Sequence, residues 1–383
     1  MKAADGHAKM TRILATASVV LAFIVVAQTA PAEGDEMGLT NGRPIVGAIR
    51  WDAWHGDRGE PGKAVEEALG PAKWHSRVPF FGKVISDTQV QIRGYTQGIV
   101  DREIAYAHAA GLDYWGFVMY EPDAAMSLAF SLYLSSEHKS EIRFCMVTGP
   151  GNLGTLKDGG GRIARLARLM AEPNSQKVMG NRPLFYIGFI EDKWIEAWGG
   201  PAGGHELLDS LREQAKQLGA GNPYIVIMDF SAEHGKKLAD MLGADAISAY
   251  ATSAGGKGAP YADLARHTEG FWEQCKATGA KVVPIVMSGW DRRPRVERPM
   301  PWETWQKPGE GIEQFYEAPK PEELAAHLKR AVDWIRANPA AAPADAAIIY
   351  AWNENDEGGW LVPTLGEGTK RLDAIGKVLK APP

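Results

Sequence analysis

Asp101-Arg-Glu-Ile-Ala-Tyr-Ala-His-Ala-Ala-Gly111-Leu-Asp-Tyr-Trp-Gly-Phe-Val-Met119 holds the pattern that decides the fold. Residues Gly98–Ala110 read as a helix, Gly111 as its C-cap, and Tyr114–Met119 as an apolar strand that starts almost at once. The same order of helix, glycine and strand returns at Gly219, Gly243 and Gly279. Working outward, strands are predicted over Ile45–Trp51, Tyr114–Met119, Arg143–Thr148, Leu184–Ile187, Tyr224–Asp229, Ala246–Tyr250, Lys281–Ser288 and Ala347–Trp352. Helices fall between them, near Gly98–Ala110, Ala124–His138, Gly160–Ala171, Gly204–Leu218, Ala232–Leu242, Asp263–Thr278, Pro321–Asn338 and Gly366–Lys380. About eight strand-helix pairs in one chain favour a single α/β (β/α)8 TIM barrel over an open, doubly wound sheet. The barrel would span residues 45–383, behind a signal peptide at 1–32 and a linker at 33–44.

A barrel of this kind places its chemistry at the C-terminal ends of the strands. Those ends read Trp51-Asp52-Ala53-Trp54-His55, Tyr120-Glu121, Thr148, Asp229, Tyr250, Ser288-Gly289-Trp290-Asp291 and Asn353-Glu354. Polarity there is ordinary for exposed loops; the tryptophans are not explained so simply. Two connections are long, one after strand one (Asp52–Gly94, with a hairpin predicted within Lys83–Ile92) and one after strand seven (Trp290–Lys320). Both are expected over the barrel mouth, where long loops select substrate.

The last strand delivers Trp352-Asn353-Glu354-Asn355-Asp356-Glu357-Gly358-Gly359-Trp360. Glycosidic hydrolysis needs a protonated carboxylic acid at the leaving oxygen and a second carboxylate that stabilises the cation or activates a nucleophile. Glu354 and Glu357 are the candidates, because crowded like charges raise one another's pKa and allow one to stay protonated. The turn at Gly358-Gly359 is expected to bring Glu357 back beside Glu354, with Asp356 pointing away or holding the loop. Residues expected to contact the sugar are Trp51, Asp52, Trp54, His55, Tyr120, Asp229, Tyr250, Trp290, Asp291, Trp352, Asn353 and Trp360.

Composition narrows the alternatives. The chain is 383 residues long, 45% hydrophobic and 23% charged, with a net charge of -5, which provides no basic field for a nucleic-acid backbone. Thirteen tryptophans offer faces on which sugars stack. Lys2, Lys9 and Arg12, the apolar run Ile13–Val26 and Ala30-Pro31-Ala32 form the three parts of a secretory signal. Cleavage near Ala32 implies a secreted or periplasmic protein with no stable membrane span.

Cys145 and Cys275 are expected as buried free thiols. Gly149-Pro-Gly-Asn-Leu-Gly154 matches a dinucleotide fingerprint in letters, but Thr155–Gly161 postpones the helix that such a site needs, so a rim loop and no nucleotide is the expectation. The nine histidines show no zinc spacing. A cation shared by Asp52, His55 and Asp57 is the one metal alternative, and neither metal nor cofactor is expected. No Gly-x-Ser-x-Gly elbow is present. Arg292, Arg293, Arg295 and Arg298 read as a solvated or ion-paired loop, with recognition of an anionic sugar as the functional alternative.

Trp352-Asn-Glu-Asn-Asp-Glu-Gly358 followed by Pro363 resembles the Asn-Glu-x-x-Glu-Gly signature of glycoside hydrolase family 99 endo-mannosidases and their bacterial polysaccharide-locus relatives. Asp101–Phe117 and Gly180-Asn-Arg-Pro-Leu-Phe-Tyr186 look like further segments of that family's barrel. The strand-one aromatic motif stands here as Trp51-Asp-Ala-Trp-His55, and Ile187–Glu191 has no tyrosine. The resemblance implies a carbohydrate substrate and a retaining reaction. In it Glu354 assists attack by the sugar's own 2-hydroxyl, while Glu357 acts first as acid and then as base. A non-catalytic carbohydrate-binding barrel and a polysaccharide-biosynthesis protein are the competing expectations.

Overall fold

The structure is a computed structural model that describes residues 42–158 and 160–382, so the predicted leader and residues 33–41 of the linker lie outside the described residues. Eight parallel strands form the barrel: β1 (Ile45–Arg50), β2 (Tyr114–Val118), β3 (Arg143–Thr148), β4 (Arg182–Gly188), β5 (Tyr224–Met228), β6 (Ala246–Ser248), β7 (Ile285–Met287) and β8 (Ala346–Tyr350). Ladders run in sequence order from β1 to β6 and from β7 to β8, and β8 returns to β1 with Ile45 opposite Ala346. A parallel bridge between Ile247 and Val282 closes the seam between β6 and β7. Strand seven is shorter than the sequence suggests because Pro284 lacks an amide hydrogen and cannot donate to a ladder.

Between the strands lie α1 (Gln97–Ala110), α2 (Leu128–Ser135), α3 (Gly161–Met170), α4 (Pro201–Gln217), α5 (Ala232–Leu242), α6 (Tyr261–Ala277), α7 (Pro321–Ala337) and α8 (Lys370–Leu379). Gly111 and Gly243 cap α1 and α5 in the left-handed conformation, and Gly219 and Gly279 also have positive φ. At these positions a side chain would be strained. Helix α2 starts later than predicted, after a 3-10 turn at Ala125–Ser127. Gly149–Gly154 is not a plain loop either: Pro150–Leu153 makes one helical turn, ended by Gly154 at φ 77°.

The strands are buried on both faces, as helix-covered parallel sheets require. Gly47 on β1 leaves no room for a Cβ against the Tyr114 ring. That close approach lets the Tyr114 hydroxyl reach Tyr186 Oη at 3.0 Å and the Ala347 carbonyl at 2.8 Å across the barrel interior. Cys145 and Cys275 are free and buried, in β3 and α6 respectively.

The loop after β1 carries a helix at Gly62–Leu69, a 3-10 turn at Ala72–Arg77 and the predicted hairpin, Gly82–Ser86 paired with Gln89–Ile92. The loop after β7 carries a short helix at Arg293–Glu297, which packs on Gly62–Leu69 and on the Asn355–Glu357 turn that follows β8. A second apolar cluster, including Trp51, Trp54, Leu69, Trp74, Val78, Ile92 and Met300, seats these loops. Among the described residues no helix is long and apolar enough to cross a membrane.

Candidate active site

The acid turn is a miniature hairpin. Asn353–Glu354 pairs antiparallel with Gly359–Trp360, and Asn355–Glu357 forms a 3-10 turn at its tip. Gly358 has φ 86°, and a Cβ there would strike Asp291. The glycine therefore permits both the reversal and the close approach of the β7 loop, whose Asp291 amide donates to the Glu357 carbonyl at 2.7 Å. Glu354 and Glu357 are 3% and 8% exposed.

One guanidinium joins the acids. Arg295 donates from Nη1 to Glu357 Oε1 at 2.6 Å, from Nη2 to Glu354 Oε2 at 3.1 Å, and from Nε to Asp356 Oδ2 at 2.7 Å. Its plane lies 4.9 Å over the Trp51 ring. Asp356, fully buried, holds this arginine. Arg292 adds a second cation, donating from Nε to Glu357 at 2.9 Å and from Nη2 to Glu303 at 2.5 Å. The Tyr350 hydroxyl donates to Glu357 Oε2, and the Tyr250 hydroxyl donates to Glu354 Oε1 at 2.7 Å.

These contacts split the pair electrostatically. Burial and the neighbouring Glu357 charge push the Glu354 carboxyl well above its usual range, against the pull of Arg295. Burial acts in the same direction on Glu357, but Arg295, Arg292 and the Tyr350 hydroxyl outweigh it and hold that carboxyl below its usual value. The two shifts run in opposite directions and favour the proton on Glu354. That order is the reverse of the one the family resemblance implies.

Several residues expected at the substrate are engaged by other protein groups. Trp352 is fully buried, donates to Glu103 at 2.8 Å and packs 5.0 Å from Trp115. Asn353 accepts from the Trp51 amide at 2.8 Å and donates to Asp52 at 3.2 Å. Asp52 is paired with Arg50 at 2.8 Å, and burial raises its pKa to about 6 despite that partner. Trp54 donates to the Asn353 carbonyl at 2.9 Å from within the second apolar cluster. His55 is buried in a small cavity that Arg50, Tyr95 and Glu103 also line.

Asp291 is clamped by Arg77 and Arg293. Asp229 accepts from the Ser231 amide at 2.8 Å and pairs with His234 at 2.8 Å, fixing the start of α5. Trp360 lies under the Arg371 guanidinium, 3.7 Å away.

The structure leaves Tyr120, Tyr250 and Trp290 partly exposed, while Glu354, Glu357 and Trp51 are buried. The Trp51 indole donates to Tyr120 Oη at 2.7 Å, and the Trp290 ring lies 5.6 Å from Tyr350. Asp57 pairs with Arg93 and Asp52 with Arg50, so the trio considered for a cation is not assembled. Among the described residues no three His, Cys, Asp or Glu side chains are grouped as a metal would need.

Sequence reasoning missed Arg295 and Arg292 as partners of the glutamates, together with Tyr350 and Glu303. A signal existed: the arginines follow strand seven, the barrel neighbour of strand eight, and a buried acid cluster needs compensating cations. The cluster is ion-paired as one of the two expectations had it, but Arg295 is buried rather than solvated.

No protein-family model matches the chain, and no curated protein does. Solved structures do. The endo-alpha-mannosidase of glycoside hydrolase family 99 from Bacteroides thetaiotaomicron, in complex with Bis-Tris-propane, is 15% identical and superposes with a TM-score of 0.51. The match covers 84% of this chain and 87% of that one. A second structure of that enzyme gives 15% identity and a TM-score of 0.49 over 84% and 88%. The beta-glycosidase BGL167 gives 11% and 0.44 over 90% and 97%. The fold is a (β/α)8 barrel. Likeness at this identity establishes architecture, and function rests on the site.

Proposed function

We propose that this chain is a secreted or periplasmic glycoside hydrolase that cleaves a poly- or oligosaccharide with Glu354 and Glu357. The observation that carries the reading is the shared Arg295 guanidinium, which holds two buried carboxyls side by side beyond the last barrel strand, their pKa values pushed in opposite directions. Glu354 has the proton needed at the leaving oxygen, and ionised Glu357 is suited to stabilising the oxocarbenium-like state or activating the attacking group. Two acids on one guanidinium leave little room for an interposed water. This favours retention, since inverting enzymes set their carboxyls wider apart.

The neighbour named as an endo-alpha-mannosidase and the partly exposed Tyr120, Tyr250 and Trp290 support a carbohydrate substrate. The test is to incubate purified protein with a glycan panel and follow products and anomeric configuration by NMR. Release of a retained anomer, lost in Glu354→Gln, is expected. Failure of the wild type to cleave any glycan while still binding some would leave a carbohydrate-binding barrel, which the full engagement of Glu357 by Arg292, Arg295 and Tyr350 also fits.

A further inference from the structure

We infer that Phe189 and Phe230 form a second sugar-binding platform, which takes an uncharged pyranose of the glycan whose scissile unit lies over Glu354. This rests on the hydrolase reading for the identity of the glycan, but its geometry is independent of the acid pair. Phe189 follows β4 and Phe230 follows β5, and they are 47% and 68% exposed. Their ring centroids are 6.4 Å apart, and Phe189 lies 5.3 Å from Tyr250, the residue bonded to Glu354. A continuous aromatic row therefore runs from the rim to the candidate acid.

Single exposed apolar side chains are common on any protein surface. Two adjoining phenylalanines that continue into a catalytic mouth are a binding surface. Both are also held in place. Phe189 has φ 62°, a left-handed conformation that bulky residues rarely adopt. Asp229 pins the turn beneath Phe230 through the Ser231 amide and His234.

Chemistry points to an uncharged ring. Three arginines of the β7 loop are paired with carboxylates: Arg292 with Glu303 and Glu357, Arg293 with Asp291, and Arg295 with the acid turn. Two flat aromatic faces match the C–H face of a neutral pyranose. Strands β4 and β5 stand across the barrel from β8 and β1, so a sugar on this platform is one or more units removed from the bond at Glu354.

The experiment uses the full chain and neutral cello-, manno- and malto-oligosaccharides from disaccharide to hexasaccharide, with oligogalacturonides as the charged arm. Affinity is measured by calorimetry and, for cleaved substrates, kcat/KM by product release. Wild type should gain affinity with length for a neutral series and not for the charged one. In Phe189→Ala/Phe230→Ala the gain with length should fall about tenfold or more, and Phe189→Tyr/Phe230→Tyr should restore it. Both rings are exposed, so the variants should fold, and thermal melts check this.

An unchanged length dependence in the alanine variant overturns the platform while leaving a hydrolase standing. Length-dependent binding that is lost in the variant without any cleavage upholds the platform and removes the hydrolase. A wild type that binds no glycan of any series overturns both.

Discussion

The Tyr250 hydroxyl donates to Glu354 Oε1 at 2.7 Å, joining the end of β6 to the acid turn beyond β8. Glu354 otherwise shares a single guanidinium with three other carboxylates, those of Glu303, Asp356 and Glu357, whereas Glu357 receives two arginines and Tyr350. This unequal partnership, more than proximity alone, separates the charge states of two glutamates that are three residues apart in sequence.

The inequality predicts different costs for similar substitutions. Glu354→Gln and Glu357→Gln should each lower turnover by on the order of 10³-fold if the pair acts as a unit. At pH 4.5 and below, Glu354→Gln should change stability by about 1 kcal/mol or less, whereas Glu357→Gln removes one of the carboxylates that Arg292 and Arg295 share with Glu303 and Asp356 and should cost roughly 3 kcal/mol. Urea titrations of both variants check this. Equal destabilisation would remove the charge assignment.

Stability should vary with pH in a direction set by those shifts. Glu354 is raised, so its contribution is complete below the usual 4.5 and is lost as pH climbs toward its folded value. Asp52 behaves alike between 3.8 and about 6. Glu357 is lowered, so its contribution is present above 4.5 and is lost as pH falls. Wild type should therefore weaken above pH 4.5, by up to about 1.4 kcal/mol per pH unit for each raised group. In Glu354→Gln the decline should be shallower than in wild type, most clearly above pH 6 where Asp52 is largely ionised. Chemical denaturation across pH shows whether the two curves diverge.

Tyr250→Phe removes a donor that favours ionised Glu354. The Glu354 pKa should rise further, and the alkaline limb of kcat/KM should move to higher pH if this carboxyl is the proton donor. A limb that stays in place, or moves down, would assign the proton elsewhere.

Trp352→Phe tests a residue that the sequence placed at the substrate and the structure places in the core. Loss of the indole bond to Glu103 and of packing on Trp115 should cost roughly 1–3 kcal/mol. On any glycan the wild type cleaves, kcat/KM of the folded variant should stay within about threefold, since no contact with substrate is removed. A loss comparable to that of Glu354→Gln would return the tryptophan to the mouth.

Compartment is open to direct measurement. Ala30-Pro31-Ala32 closes a signal-like segment, and N-terminal sequencing of protein from its native host should begin near Glu33. Intact Met1 on a cytoplasmic protein would overturn secretion.

The barrel was legible in the sequence because its determinants are local. Helical spacing ends at Gly111 or Gly243 and an apolar strand follows within a few residues, so each repeat declares itself without reference to the others. The Asn353–Trp360 hairpin is also local: Gly358 permits the reversal, and Glu354 and Glu357 follow from their spacing. What the amino-acid order could not settle is which rim side chains face inward. Trp51 and Trp54 are three residues apart, yet one lies under Arg295 at the mouth and the other is tied to the Asn353 carbonyl. Arg295 meets Asp356 across 61 residues and Tyr250 meets Glu354 across 104, partnerships that exist only once the barrel closes. Spacing along the chain determined where two carboxyls sit, and tertiary contact decided which one keeps the proton, because desolvation and counter-charge act through space.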